Sequence, residues 1–244
     1  MTYCVGLKLD RGLVMAADTR TNAGLDNIAT FRKLQTFDVP GERVFILMSA
    51  GNLAVTQAVV ALLEEDFEHP DEADANSSLR TVPTMFQAAK LVGETLKVVR
   101  KDHVDQGLSS DAFSASFIFG GQIASEDATL YQIYSEGNFI EATHDTPFFQ
   151  IGEHKYGKPI LDRVANPDMR LGEAAKLVLL SFDSTLRSNL SVGMPIDMVV
   201  YNRDNLSIDR VRRIEQDDPY FRAISSKWSE ALRSAVEKIE EFDI

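Results

Sequence analysis

The sequence contains little cysteine, a deficit of positive charge and no long apolar run. Cys4 is the one cysteine, so no internal disulfide can form, which is typical of a reducing compartment. Acidic residues number 37 against 25 basic ones, a formal net charge of −12. A surface this acidic repels phosphate backbones, which argues against nucleic acid as a partner. Apolar stretches such as Val44–Ala50 are far shorter than the roughly 18–20 residues of a bilayer span, so we expect no membrane segment.

Signal, metal and nucleotide motifs are also missing. Lys8, Asp10 and Arg11 interrupt the apolar positions near the N-terminus, and no basic segment precedes them, which predicts a cytoplasmic protein. The four histidines have no carboxylate or cysteine at ligand spacing, so we expect no metal site and no cofactor. The pair Gly120-Gly121 lacks the flanking pattern of a phosphate loop, and we read it as a break after a strand.

Hydrophobic periodicity divides the chain into blocks of strands and pairs of helices. The predicted strands are Tyr3–Leu9, Gly12–Ala17, Ile28–Phe37, Val44–Met48, Ala112–Phe119, Ala128–Tyr134, Phe139–Thr143, Phe148–Ile151, Asp197–Asn202 and Leu206–Val211. The predicted helices are Leu53–Phe67, Val82–His103, Tyr156–Arg163, Leu171–Leu186 and about Pro219–Phe242. Segregated blocks favour antiparallel sheets covered by helices. We therefore predict one α+β domain over residues 1–244, a four-layer αββα sandwich of two mainly antiparallel sheets.

Thr2 is the first residue of chemical interest. Methionine before a small residue is commonly removed, and the mature chain would then begin with threonine. Such a residue carries a hydroxyl nucleophile beside an α-amine that titrates near ~7.7–8.0 and can accept the hydroxyl proton at neutral pH. Many proteins begin Met-Thr, so Thr2 alone decides nothing.

The residues downstream supply the context. Asp18-Thr19-Arg20 follows the second strand, Lys33 lies on the next one, and Ala50-Gly51 leads into the first helix. This order resembles the proteasome β-type peptidases, a branch of the N-terminal nucleophile hydrolases. The segments MTYCVGLKLDRGLVMAADTRTNAG, IGEHKYGKPILDR and SNLSVGMPIDMVVY are similar to the Anbu (bacterial ancestral beta subunit) family. The resemblance extends over essentially the whole chain.

The resemblance implies a role for each matching residue. Thr2 Oγ would attack a scissile carbonyl, with its own amine as base. Lys33 would lie beside the hydroxyl as a cation and lower its pKa, and Asp18 would pair with Lys33. The backbone N–H of Gly51 would form the oxyanion hole.

The family also binds peptide as an added strand, which implies a cleft along Arg20–Gly24 and Ser49–Leu53. Thr21 and Asn22 would supply backbone pairing there, with Arg20 beside them. Ser49, Asn52 and Leu53 would border the first specificity pocket.

Two positions depart from the family pattern. Gly152-Glu153 replaces glycine-serine near the threonine amine, and Ser188 replaces an aspartate, while Ser191 keeps the expected serine. A carboxylate at Glu153 would raise the pKa of the amine and weaken it as a base at pH 7. Peptidase strength is therefore an open question at this point.

Three functions remain open. The first is a threonine-type endopeptidase inside a self-assembled homo-oligomeric ring or stack, acting on peptides or unfolded proteins. The second is an N-terminal nucleophile amidase for small substrates, and the third a catalytically weak scaffold subunit. We also predict that helix 219–242 is an assembly element, because it carries a continuous apolar stripe. The stripe consists of Phe221, Ile224, Trp228, Leu232, Ala235, Ile239 and Phe242.

Overall fold

The computed structural model describes residues 2–22, 28–71, 74, 76–104 and 113–243, with side chains for all of these except 22, 28 and 102–104. The strands are β1 Tyr3–Leu9, β2 Gly12–Asp18, β3 Arg20–Asn22, β4 Ile28–Thr30, β5 Leu34–Val39, β6 Arg43–Gly51, β7 Ala115–Ile123, β8 Thr129–Ile133, β9 Phe139–Glu141, β10 Phe148–Gly152, β11 Ile196–Asn202 and β12 Arg212–Ile214. The helices are α1 Leu53–Glu68, α2 Met85–Val104, α3 Lys158–Val164, α4 Leu171–Ser188 and α5 Pro219–Glu237. None of these helices is long and apolar enough to cross a membrane.

Two five-stranded antiparallel sheets form the centre of the fold. Their strand orders are β10-β1-β2-β11-β12 and β5-β6-β7-β8-β9, and β3 pairs with β4 in a separate two-stranded sheet. Helices α1 and α2 cover the outer face of the second sheet, and α3, α4 and the start of α5 cover that of the first. The predicted four-layer sandwich is therefore confirmed.

Strand β1 shows why both faces of a central strand are apolar. Tyr3, Val5 and Leu7 pack against the helices, whereas Cys4 points between the two sheets. Burial raises the pKa of the Cys4 thiol far above its ordinary value. Because the thiolate is the reactive form, this cysteine is chemically quiet.

One predicted strand, Ile28–Phe37, was wrong because the chain changes sheets within it. Strand β4 ends at Thr30 and pairs with β3, and β5 begins at Leu34 and pairs with β6. The residues that connect β4 to β5 form hydrogen bonds at both ends of the connection. Phe31 N–H donates to Thr19 O at 2.8 Å, and Lys33 O accepts from Ser49 N–H at 3.0 Å. Lys33 therefore precedes the strand on which we expected it.

Among the other boundaries that differ from the prediction, three are instructive. Strand β7 continues through Gly120-Gly121 to Ile123. A Cβ at Gly121 would overlap the carbonyl oxygen of Val44 on β6, so glycine is required here by the close approach of the neighbouring strand and does not mark a break. The expected strand at 206–211 is absent, since Leu206 has a φ of 47° and forms part of a turn before β12. Helix α5 ends at Glu237, five residues earlier than expected.

Candidate active site

The fold brings the ends of four strands to one edge of the sandwich. In the β1–β2 hairpin the start of β1 faces the end of β2, which places Thr2 beside Asp18. The antiparallel pair β5–β6 likewise places Lys33, just before β5, opposite Ser49 near the end of β6. Residues far apart in sequence therefore meet because the strands are antiparallel.

A buried ion pair lies at the centre of this edge. Lys33 Nζ donates to Asp18 Oδ1 at 2.7 Å and to the Arg20 carbonyl at 2.6 Å, and both charged side chains are at least 95% buried. Asp18 also accepts from Tyr3 N–H at 3.0 Å and Gly193 N–H at 3.2 Å. Burial raises the pKa of Asp18 above its usual range, and the lysine charge and these donors act against that rise.

The backbone of Thr2 is held from two sides. Its carbonyl oxygen accepts from Glu153 N–H at 2.7 Å, and the next N–H, that of Tyr3, donates to Asp18. Gly152 has a φ of 80°, and a Cβ there would overlap the Thr2 carbonyl. Only glycine permits both that conformation and that approach. These contacts fix the position of Thr2 relative to the ion pair.

A polar cluster beneath Thr2 adds to this rigidity. The Tyr3 hydroxyl donates to Ser181 Oγ at 3.0 Å and accepts from Gln150 Nε2 at 2.7 Å. Burial raises the pKa of Tyr3, so its hydroxyl stays protonated. The sequence did not predict these hydrogen bonds of Tyr3, because an aromatic residue at an apolar position of an alternating strand indicates only that it lies in the core.

A cavity of about 550 Å³ opens at this edge. It brings together most of the predicted residues with two, Thr56 and Gly152, that were not expected to border it. Its lining residues are Thr2, Thr21, Lys33, Ser49, Ala50, Gly51, Leu53, Thr56, Gly152 and Glu153. A second cavity of about 360 Å³ shares Lys33, Ser49, Leu53 and Thr56 with it. The site is thus an extended cleft on the protein surface.

Gly51 lies where β6 passes into α1. Its φ is 114° and a Cβ would overlap Ser114 O, so the position requires glycine. Asn52 is the N-cap of α1 and accepts from Val55 N–H at 3.2 Å, which explains this residue without a substrate contact. Thr56 lies one helical turn after Leu53 and faces the same cavity; this spacing was the available signal for it.

The remaining predicted residues lie away from the cavity lining. The Arg20 guanidinium donates to Leu190 O at 3.1 Å, and a Cβ at Gly193 would overlap it, so its side chain holds the loop that donates to Asp18. Ser188 is exposed at the end of α4, and Ser191 N–H donates to Asn189 Oδ1 at 2.9 Å.

Asn22 contributes its backbone to β3, where it pairs with Ile28. Ala23 and Gly24, which we expected along the cleft, lie outside the described residues, as does Met1. Across the described ranges no group of three or more His, Cys, Asp or Glu residues could hold a metal ion.

Comparison with known proteins identifies the family of this chain. The proteasome subunit family matches residues 2–201. A Gly-1 mutant of Anbu from Hyphomicrobium sp. strain MC1 is 62% identical over 100% of both chains, with a TM-score of 0.93. Anbu from Yersinia bercovieri is 46% identical (100% and 99% covered, TM-score 0.92), and the helical assembly of the Anbu complex from Pseudomonas aeruginosa 48% (99% and 98%, TM-score 0.91). No curated protein matches the sequence. The chain belongs to the proteasome subunit family, and within it to the Anbu (ancestral beta-subunit) proteins.

Proposed function

We propose that this protein is a threonine-type peptidase whose nucleophile is Thr2, exposed as the N-terminal residue when Met1 is removed. The observation that carries the proposal is the buried ion pair between Asp18 and Lys33 beside Thr2. Asp18 accepts a hydrogen bond from the N–H of Tyr3, the residue that follows Thr2, so the ion pair and the threonine are fixed relative to each other at the wall of the cleft. A cation fixed in a site with little water stabilises a developing alkoxide more than it would in solution.

In the proposed reaction, Thr2 Oγ attacks the carbonyl carbon of a peptide bond while the α-amine of Thr2 takes the hydroxyl proton. The negative oxygen of the tetrahedral intermediate is bound by the Gly51 N–H. The C–N bond then breaks, and the leaving amine receives the proton from the Thr2 amine. Water next attacks the ester carbonyl carbon and loses a proton to the same amine. The C–O bond to Thr2 then breaks, Thr2 Oγ takes that proton back, and the acid is released.

Substitutions at the reacting groups test this proposal by the hydrolysis of fluorogenic peptides. Thr2→Ala should abolish turnover and leave the fold intact, while Thr2→Ser, which keeps a hydroxyl and an amine, should retain measurable activity. Lys33→Ala should lose about 10²-fold or more. Hydrolysis by Thr2→Ala at the parent rate would reject the mechanism, and a parent without turnover would favour the scaffold function.

The shape of the cleft favours peptides over small amides. The two adjoining cavities share one wall and extend from Thr21 to α1, as an extended chain requires, whereas an amidase for small substrates needs a closed pocket. The backbone of β3 borders the cleft and is available to pair with a substrate strand.

We further propose that the protein assembles with copies of itself. The Pseudomonas aeruginosa relative is described as a helical assembly, and α5 of this chain leaves several apolar side chains uncovered. The cytoplasmic location indicated by the sequence stays a prediction.

A further inference from the structure

The second half of α5 extends beyond the core of its own domain. Phe221 is 8% exposed and Ile224 packs against the same helical layer, so the helix starts as part of the core. Farther along the predicted stripe, Leu232 is 48% exposed, Ile239 71% and Phe242 89%. The stripe is therefore covered at one end and uncovered at the other.

A groove on the outer face of the first sheet offers an apolar surface that could cover such side chains. It measures about 390 Å³ and lies between α4, β11, β12 and the start of α5. Its floor is apolar, and Val200 is 43% exposed there because β12 pairs with β11 only as far as Met198. The apolar side chains that line the groove are Ala175, Leu179, Met198, Val200, Ile214 and Tyr220.

Charge distinguishes the groove from the rest of this acidic chain. Lys176, Arg210 and Arg212 line it together with one carboxylate, that of Asp209. Arg212 is paired with Asp218 at 3.4 Å, whereas neither of the other two cations forms a salt bridge within the described residues. A groove of net positive charge on a protein of net charge −12 selects an acidic ligand.

The segment that follows α5 has the matching chemistry. Residues 237–243 read EKIEEFD, with four carboxylates, one lysine and the two most exposed apolar residues of the stripe, Ile239 and Phe242. Acidic and apolar side chains occur together in this segment, and basic and apolar side chains occur together in the groove. Without such a local attraction, two chains of this charge would repel each other.

The segment does not reach the groove of its own chain. Tyr220 borders the groove, and the 17 residues from there to Glu237 span about 25 Å at about 1.5 Å per helical residue. The five residues from Lys238 to Phe242 extend at most about 18 Å, so they cannot turn back over that distance. The groove that binds this segment must belong to another molecule.

We propose that the acidic segment after α5, residues 237–243, docks in the groove of a second copy of this chain. Ile239 and Phe242 pack on the floor around Val200, and the carboxylates of Glu240 and Glu241 face Lys176 and Arg210. The inference rests on the proposed self-assembly and names the surfaces that form it. Two copies that exchange their segments form a closed dimer, whereas copies that each dock on a different neighbour form a ring or an open helix.

Disulfide trapping tests the contact directly. The one cysteine of the parent, Cys4, is fully buried, so any disulfide that forms under mild oxidation involves the introduced cysteines. The protein carrying Val200→Cys and Phe242→Cys should form disulfide-linked chains under mild oxidation, as dimers if two copies exchange segments and as a ladder if each copy docks on a different neighbour. Its matched control pairs Phe242→Cys with Ile140→Cys, which is 44% exposed on β9 of the other sheet, and should link no more than Phe242→Cys alone.

The outcomes separate the contact from self-assembly as a whole. A mixture of the single variants Val200→Cys and Phe242→Cys should give linked pairs with one chain of each kind. If the parent assembles by light scattering but the Val200→Cys/Phe242→Cys protein gives no link, a control-level link or a link within one chain, the docking is contradicted. A parent of single-chain mass contradicts self-assembly and the docking together.

Charge reversal gives a second, independent measurement on the full chain. The variant Lys176→Glu/Arg210→Glu should lower the assembled mass, and adding Glu240→Lys/Glu241→Lys should restore it. A groove variant that assembles like the parent, or a combination that recovers nothing, overturns the proposed pairing and leaves the groove to a different partner.

Discussion

Replacing Lys33 with methionine leaves the Asp18 carboxylate buried without its cation. At 2.7 Å the two charges attract by about 6 kcal/mol at an effective dielectric constant of about 20. Much of this attraction offsets the cost of removing both ions from water, and breaking one buried pair typically costs about 3–5 kcal/mol. We expect Lys33→Met to lower the free energy of unfolding by that amount in urea titrations at pH 7.

The double variant Lys33→Met/Asp18→Asn decides whether charge is the cause. It removes both charges and keeps an oxygen that accepts from Tyr3 N–H or Gly193 N–H, so it should recover more than half of the lost free energy. If the double variant is less stable than Lys33→Met, the reasoning from the buried charge is refuted.

The pH dependence of the single variant follows from the same argument. Burial already raises the pKa of Asp18, and loss of the lysine raises it further. An acid whose pKa is higher in the folded state loses stability as pH rises from the unfolded pKa through the folded one. The deficit of Lys33→Met relative to the parent should therefore be smaller at pH 4 than at pH 7. A deficit that grows on acidification would contradict this assignment.

Three further predictions concern the nucleophile, its base and the assembly. Gly152→Ala should lower peptidase activity at least 10-fold, because its Cβ would displace the Thr2 carbonyl; the matched variant Gly172→Ala, where a Cβ meets nothing within 4 Å, should retain activity. Glu153→Ser should move the acidic limb of the pH–rate profile to lower pH, since loss of the carboxylate lowers the pKa of the threonine amine; an unshifted or upward-moving limb argues against that role. Deletion from Ala231 onward keeps the buried Phe221 and should yield a folded protein of smaller assembled mass by light scattering, whereas an unchanged mass would exclude α5 as an assembly element.

The layer order was predictable because most strands and helices carry a clear apolar period. The path from Ile28 to Phe37 was not, since an alternating run does not reveal that its two halves pair with different sheets. The same limit applies to Gly121. It permits the close approach of the neighbouring strand β6, and the local sequence does not show which strand lies beside it.

The candidate site divides in the same way. Thr2, Lys33 and Gly51 were predictable from their order along the chain, and the fold brings them to one cavity. The side-chain direction of Arg20 was not, because only the tertiary structure shows that the 189–193 loop passes beside it. Thr56 was also within reach of the sequence, because it lies one helical turn after Leu53, which we already expected at the cleft.

Covalent labelling of the N-terminal residue tests the central claim most directly. A peptide epoxyketone reacts with both the hydroxyl and the amine of an N-terminal threonine, and mass spectrometry of the digested protein locates the adduct. The proposed mechanism predicts an adduct on the peptide that begins at Thr2, and none in Thr2→Ala or in chains that retain Met1. An adduct at another residue, or unlabelled protein whose N-terminus is free Thr2, would contradict it.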